Sequence, residues 1–358
     1  MSGTPSAGEA EASVNREQGR SCAATLCAAA LLLVAACGAD PPGHDPAGPA
    51  SSGPASPADP VSSARELTVG QATQVLAAFD RSDSAASVSG NITALRADEA
   101  APALDDSLAA VYRARASHAK QAPYNHADPV FAIPAGNPGC LLAAATLRSG
   151  GGEIPENDVS QFTRGPSGTW KLDLHVLVGP STGPELASIG AQPATLTATA
   201  IGAARRQALV SQLFARTTAT PHPDLSLVAS SVVLDQQLGM GWTLYRQGLR
   251  AGHMALSREM TGSQWSACAA RAGSSLVAFV TIDATDTITP LPGGPPTAEL
   301  TTQDPDLIGL GRHTAVRGAS IKISRVEEFL LSVPAAASAP AVVLGLIDAP
   351  VSLTAGAR

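Results

Sequence analysis

The chain has 358 residues, 23 Lys plus Arg against 30 Asp plus Glu, a formal net charge of −7 and 3% aromatic residues. With no basic cluster, and lysine only at Lys120, Lys171 and Lys322, binding to nucleic acid through phosphate neutralisation is not expected. The same acidic balance gives no support for charge-driven attachment to an anionic membrane.

The first feature in chain order is an apolar run from Cys22 to Ala36, 15 residues without a charge, behind Arg16 and Arg20. A membrane-spanning helix needs about 20 such residues, so the run is too short. A basic flank, a short apolar stretch and small residues at its end have the proportions of an export signal. Its boundary, Val34-Ala35-Ala36-Cys37-Gly38, resembles the bacterial lipoprotein box, in which small residues precede a cysteine that takes a diacylglycerol and becomes the first residue after cleavage. The resemblance implies that residues 1–36 are a signal peptide, that Cys37 is lipidated and that the protein sits on the outer face of the cell membrane. Glu9, Glu11 and Glu17, ahead of the run, depart from that pattern.

Residues 37–65 follow, and from Asp40 they read DPPGHDPAGPASSGPASPADPVSSAR. A segment with almost no large apolar side chain cannot bury enough surface to offset the entropy of ordering. It is expected to be a disordered, solvated tether that lets the domain hang off the membrane. Without residues 1–36 the chain carries 21 basic and 27 acidic residues, a net of −6.

Beyond the tether, apolar spacing predicts secondary structure. In TVGQATQVLAAFDR, Ala72, Val75, Leu76 and Phe79 fall on one helical face, and in EAAPALDDSLAAVYRARAS the stripe is Leu104, Leu108, Val111 and Tyr112. The polar group His118, Tyr124, His126 and Asp128 reads as loop. NPGCLLAAATL is a turn followed by a continuous apolar run, while TWKLDLHVLV alternates, with Trp170, Leu172, Leu174, Val176 and Val178 on the face expected to be buried. Leu209, Val210, Leu213 and Phe214 mark a further helix, AGSSLVAFVTI a further apolar run, and Ile321 and Ile323 a further strand.

Pro193, Leu196, Thr197, Ala198 and Ala200 recur as Pro350, Leu353, Thr354, Ala355 and Ala357, at a constant offset of 157. LDLHVLVGP and VEEFLLSVP, then NPGCLLAAATL and AGSSLVAFVTI, form two more pairs. The expectation is an α+β protein of two tandem related domains, residues 66–195 and 196–358, each with helices packed on a curved antiparallel sheet. By element order each half resembles the cone-shaped NTF2-like fold. The whole layout of lipobox, polar tether and doubled α+β unit resembles uncharacterised lipoproteins of high-GC Gram-positive bacteria, classified as domains of unknown function. That resemblance brings no activity with it.

Signals for chemistry are sparse. Gly179-Pro180-Ser181-Thr182-Gly183 has the spacing of a nucleophile elbow after a strand, but Pro180 precedes the serine and the strand alternates like an antiparallel one, so a strand-ending turn is the expected reading. The seven histidines are spread too far apart for a metal motif. The pairs Asp283 with Asp286 and Asp304 with Asp306 supply too few oxygens for a calcium loop. No cofactor and no metal are expected. Trp242, Tyr245, Met254 and Trp265 suit either a small apolar-ligand pocket or the core of the second half. Cys140 and Cys268 fit either a disulfide, favoured in an oxidising compartment, or two buried inert thiols. The sequence therefore points to a non-enzymatic binding or envelope-accessory module for an apolar ligand or a partner protein. The alternatives are an envelope hydrolase using Ser181 and a structural part of an envelope assembly.

Overall fold

Two four-stranded antiparallel sheets, each preceded in the chain by helices, form the framework of the described residues. The computed structural model describes residues 67–134, 139–150, 152–179, 198–218 and 226–357. Cys37 and Ser181, and with them the lipobox, the tether and the candidate nucleophile elbow beyond Gly179, lie outside the described residues.

Helix α1 (Val69–Ser89) starts on a capping box, with the Gln71 backbone N–H donating to Thr68 Oγ1 and the Thr68 backbone N–H donating to Gln71 Oε1. It ends at Gly90, whose φ of 66° is the left-handed cap that favours glycine. Helix α2 (Ile92–Asp98) and helix α3 (Ala103–Ala116) follow, and α3 carries Asp105 and Asp106 in its first turn and Arg113 and Arg115 near its end, matching the helix dipole. Strands β1 (Tyr124–Ala132), β2 (Cys140–Ser149), β3 (Gly152–Arg164) and β4 (Trp170–Val178) then form a meander in spatial order β1-β2-β3-β4.

The second half repeats this order of elements. Helix α4 (Ala203–Thr217), a π-helical segment (Val233–Met240) and helix α5 (Gly241–Ala251) precede β5 (Met254–Ala272) and β6 (Ser275–Pro290). An insertion of β7 (Ala298–Leu300), α6 (Pro305–Gly309) and β8 (Val316–Gly318) leads to β9 (Ile321–Pro334) and β10 (Val342–Ala355). The second sheet runs β5-β6-β9-β10, again a meander apart from the insertion.

The hydrophobic effect drives these parts into four layers. Ala72, Leu76 and Phe79 of α1 and Ala103 of α3 pack on Phe131, Leu141, Ala143, Phe162 and Leu172 of the first sheet. The opposite face of that sheet, with Leu142, Ala144, Val159, Leu174 and Val176, meets Ala270, Val277, Phe279, Leu330 and Leu344 of the second sheet. The far face of the second sheet, with Ala278, Val280, Ile282, Phe329 and Leu331, is covered by Leu209 and Leu213 of α4 and Leu234, Leu238 and Trp242 of the π segment and α5. Gly345 lets β10 pass close to β4, because a Cβ there would lie 2.7 Å from the Leu177 carbonyl oxygen.

A disulfide between Cys140 of β2 and Cys268 of β5, with Cα atoms 6.1 Å apart, joins the two sheets across their shared core. The halves are thus one stapled sandwich, and the 66–195 to 196–358 boundary falls beside residues 180–197, outside the described region.

Several local expectations change. The predicted stripe of α3 is displaced: Ala103, Ala109 and Val111 are the buried residues, while Leu104, Leu108 and Tyr112 are only partly so. Tyr124, His126 and Asp128 are strand residues of β1 and not loop, although Asp128 sits at a bulge with φ 52°. The alternation of β4 is kept, however: Leu172, Leu174, Val176 and Val178 are buried, whereas Lys171, Asp173 and His175 are partly covered and Leu177 is 40% exposed. Residues 198–200 form a 3₁₀ turn whereas Leu353–Ala355 end a strand, and LDLHVLV lies in the fourth strand of its sheet while VEEFLLSVP lies in the third. The halves share an order of elements, not the residue alignment at an offset of 157.

Candidate functional site

Each sheet carries a buried cluster of ionisable side chains on its helix-covered face. In the first half, alternation along β3 turns Asp158 and Ser160 to the same side as Phe162, towards the helices. There His126 of β1 lies between two carboxylates, with Nδ1 2.6 Å from Asp80 Oδ1 of α1 and Nε2 2.9 Å from Asp158 Oδ2. The His126 backbone N–H donates to Asp80 Oδ2 as well, at 3.0 Å. His175 of β4 stands 3.6 Å from both Asp158 and Asp106 of α3, which extends the row to Asp80–His126–Asp158–His175–Asp106. Ser160 donates to Asp158, Tyr124 donates to Asp83, and Ser107 donates to Glu99. The row is buried at its centre and partly open at one end: the His126 and Asp158 side chains are 4% and 6% exposed, those of His175 and Asp106 20% and 23%.

Electrostatics fix the protonation of this row. Burial opposes the imidazolium of His126, but Asp158 and Asp80 outweigh it and hold the group up at about 9. Burial would raise Asp158, yet His126 and His175 keep it well below the usual carboxylate range. Burial, helped by the neighbouring Asp83, pushes Glu99 up to about 9, so the Asp83–Glu99 pair holds a proton. At neutral pH the row therefore holds a cationic His126 between Asp80 and Asp158, beside a protonated acid in the Asp83–Glu99 pair.

The second cluster uses arginine instead. On β9 the residues Ile321, Ile323, Arg325, Glu327 and Phe329 share one face, so two charges sit within an apolar row. Arg325 donates from Nε to Asp286 at 2.7 Å, from Nη2 to Asp306, and from Nη1 to Asp348 at 3.3 Å. Arg258 of β5 lies 3.1 Å from Glu327 and stacks 3.9 Å over the Trp242 ring, while Tyr245 donates to Asp306 at 3.3 Å. Asp286 and Glu327 are 0% exposed. Burial pushes Glu327 up to about 8, and does the same to Glu328, which faces the first sheet and accepts the His175 backbone N–H.

These shifts set the pH dependence of folding. Glu99, Glu327 and Glu328 have folded values raised above 4.5, so the stability they confer is full below that pH and is lost as pH rises towards 8 to 9. His126 confers stability that is full below 6.5 and lost as pH rises through about 9. The depressed Asp158 acts oppositely and loses its contribution as pH falls below 3.8. The melting temperature should therefore peak between about pH 4 and 6 and fall steadily towards about pH 9. A melting temperature that stays level or rises over that range would show that the row does not hold these protons.

Trp242 is 6% exposed and roofs the arginine cluster, with Tyr245 in edge contact at 5.7 Å, so both belong to the core. Trp265 packs on the same core. Met254 alone of the four reaches an open groove of about 790 Å³, lined also by Gly252, Pro295, Thr297, Glu299 and Arg317. A second groove of about 630 Å³ runs between α1 and the β3–β4 hairpin, with Val75, Phe79, Phe162 and Trp170 along its floor and rim. Of the polar group singled out in the sequence, Tyr124 and His126 enter the buried row, whereas His118 and Asp128 are exposed. Asp286 and Asp306 are ligands of Arg325, Asp304 caps α6, and Asp283 is exposed. Among the described residues no group of His, Cys, Asp or Glu is arranged to hold a metal ion.

Fold and site together define a disulfide-stapled, four-layer α+β protein with a largely buried ionic cluster in each half. No family model, curated protein or solved structure matches the chain.

Proposed function

We propose that the protein is an extracytoplasmic lipoprotein anchored through Cys37, and that its folded part is a non-enzymatic binding or envelope-accessory module made of two related α+β halves. The observation that carries the location is the Cys140–Cys268 disulfide. Such bonds persist in oxidising compartments, where an export signal ending in Val34-Ala35-Ala36-Cys37 would deliver the chain. The likeness to uncharacterised lipoproteins of high-GC Gram-positive bacteria belongs to the same proposal.

The non-enzymatic reading is supported by where the reactive groups lie. Acids, imidazoles and guanidinium groups converge, but between helices and sheets, with Asp158, Asp286 and Glu327 at 5%, 0% and 0% exposed. General acid–base chemistry needs such groups within hydrogen-bond reach of a substrate, and burial at these three positions keeps a substrate away from them. Cys37→Ala tests the anchor: the variant should leave the membrane fraction or stay uncleaved, and continued normal processing and anchoring would sink the reading.

A further inference from the structure

We propose that the histidine row is a proton-dependent clasp: in alkaline solution helices α1 to α3 lift from the first sheet while the second half stays packed. The clasp is independent of the anchor.

Both halves bury charge between helices and a sheet, but with different cations. In the second half they are Arg258 and Arg325, beside Asp286, Asp306 and Glu327, and a guanidinium keeps its charge in alkaline solution. In the first half they are His126 and His175, whose imidazoles lose theirs.

Every element around the row adds to the field on these rings. The helices bring acids: Asp80 and Asp83 from α1, Asp98 and Glu99 from the end of α2, and Asp106 from α3. From the first sheet come Tyr124 of β1 and Asp158 of β3, and from the second sheet Glu328 of β9, which accepts the His175 backbone N–H. The nearby permanent cations are held elsewhere. Arg148 of β2 faces the exposed Asp128 at 3.4 Å, and Lys171 of β4 donates to the Arg96 and Glu99 carbonyl oxygens.

Charged, the His126 ring donates on both sides and ties α1 to β3 through Asp80 and Asp158. Neutral, it keeps one N–H and turns a lone pair on the other carboxylate. With His175 neutral as well, the carboxylates of Asp80, Asp106 and Asp158 repel one another across the seam. The partly open end at His175 and Asp106, 20% and 23% exposed, lets solvent reach the row.

Burial opposes the His126 charge, while Asp158 and Asp80 hold the group at about 9, and burial raises Glu99 to about 9. Both bind their proton more tightly in the closed layer, so closure is complete in acid and is lost as pH rises through about 9. The apolar grip that remains is thin, because four of the seven buried apolar residues on α1 and α3 are alanine: Ala72, Ala86, Ala103 and Ala109 beside Leu76, Phe79 and Val111. Opening uncovers Phe131, Leu141, Phe162 and Leu172 of the first sheet.

The test follows amide hydrogen exchange in the full, disulfide-bonded protein from pH 6 to 9.5, each rate divided by that of the unfolded chain at the same pH. Opening at α1 should rise about tenfold per pH unit, between pH 7 and 9, for each proton released. Residues 277–282 of β6 and 329–331 of β9 should keep their protection at pH 9.5. Asp80→Asn leaves a group that accepts the His126 backbone N–H and can donate to a neutral ring, so the pH slope at α1 should fall. Val75→Ala, on the same helix, should raise opening equally at every pH. A flat pH response at α1, or a slope that Asp80→Asn leaves unchanged, overturns the clasp. Loss of protection in α1, β6 and β9 together overturns it too, because the molecule then unfolds as one unit.

Discussion

Arg325→Met is expected to destabilise the protein by about 3–5 kcal/mol, because it removes the cation of a buried network and leaves its acids uncompensated. Asp286 is 0% exposed and Asp306 5% exposed; Arg325 donates to both and to Asp348 at 3.3 Å, and Arg258, 3.5 Å from Asp286, is the second cation of the cluster. At about 2–4 °C per kcal/mol the loss should lower the melting temperature by roughly 6–20 °C. The penalty belongs to breaking the network, not to the network's net contribution, since buried ion pairs replaced whole by apolar groups are often neutral. Arg325→Met combined with Asp286→Leu should accordingly recover part of the loss. A single variant within about 1 kcal/mol of the parent in denaturant unfolding would mean that water reaches the cluster.

Opening the disulfide should be the next largest effect. Cys140→Ser with Cys268→Ser removes a crosslink between residues 128 apart in sequence, a loop long enough for a cost of about 2–5 kcal/mol. The bond lies among Ala132, Leu142, Ala270 and Phe279, between the sheets, so its loss frees the halves to part along their shared core. A reductant should lower the melting temperature of the parent and leave that of the double variant unchanged. An equal response in both, or none in the parent, would contradict the pairing.

Much of the layer plan was legible because apolar spacing reports directly on burial. Ala72, Leu76 and Phe79 in α1, Leu209, Val210 and Leu213 in α4, and Leu172, Leu174, Val176 and Val178 in β4 face the core as their periodicities predict. Helix α3 was misread because it packs through small residues: Ala109 and the nearby Gly309 of α6 allow close approach, which leaves Leu104 and Leu108 at the margins.

The ionic clusters were harder to see. A pattern of apolar residues cannot show that a histidine is buried when its partners, such as Asp80 and Asp158 for His126, lie 46 and 32 positions away. One signal was present in β9, where Arg325 and Glu327 interrupt a row of Ile321, Ile323 and Phe329 on a single face. Two charges at period two inside an apolar row have to be paired, and Asp286 and Arg258, on β6 and β5, are the partners that the row required.

The most direct test of an exported, lipid-anchored, disulfide-stapled domain is the intact mass of the protein extracted from its own membranes, after thiol labelling under denaturing conditions. The account predicts a chain that begins at Cys37, carries a diacylglycerol and takes up no label at Cys140 or Cys268. A chain that still begins at Met1, or one cut elsewhere, without lipid and labelled at both cysteines, would contradict it.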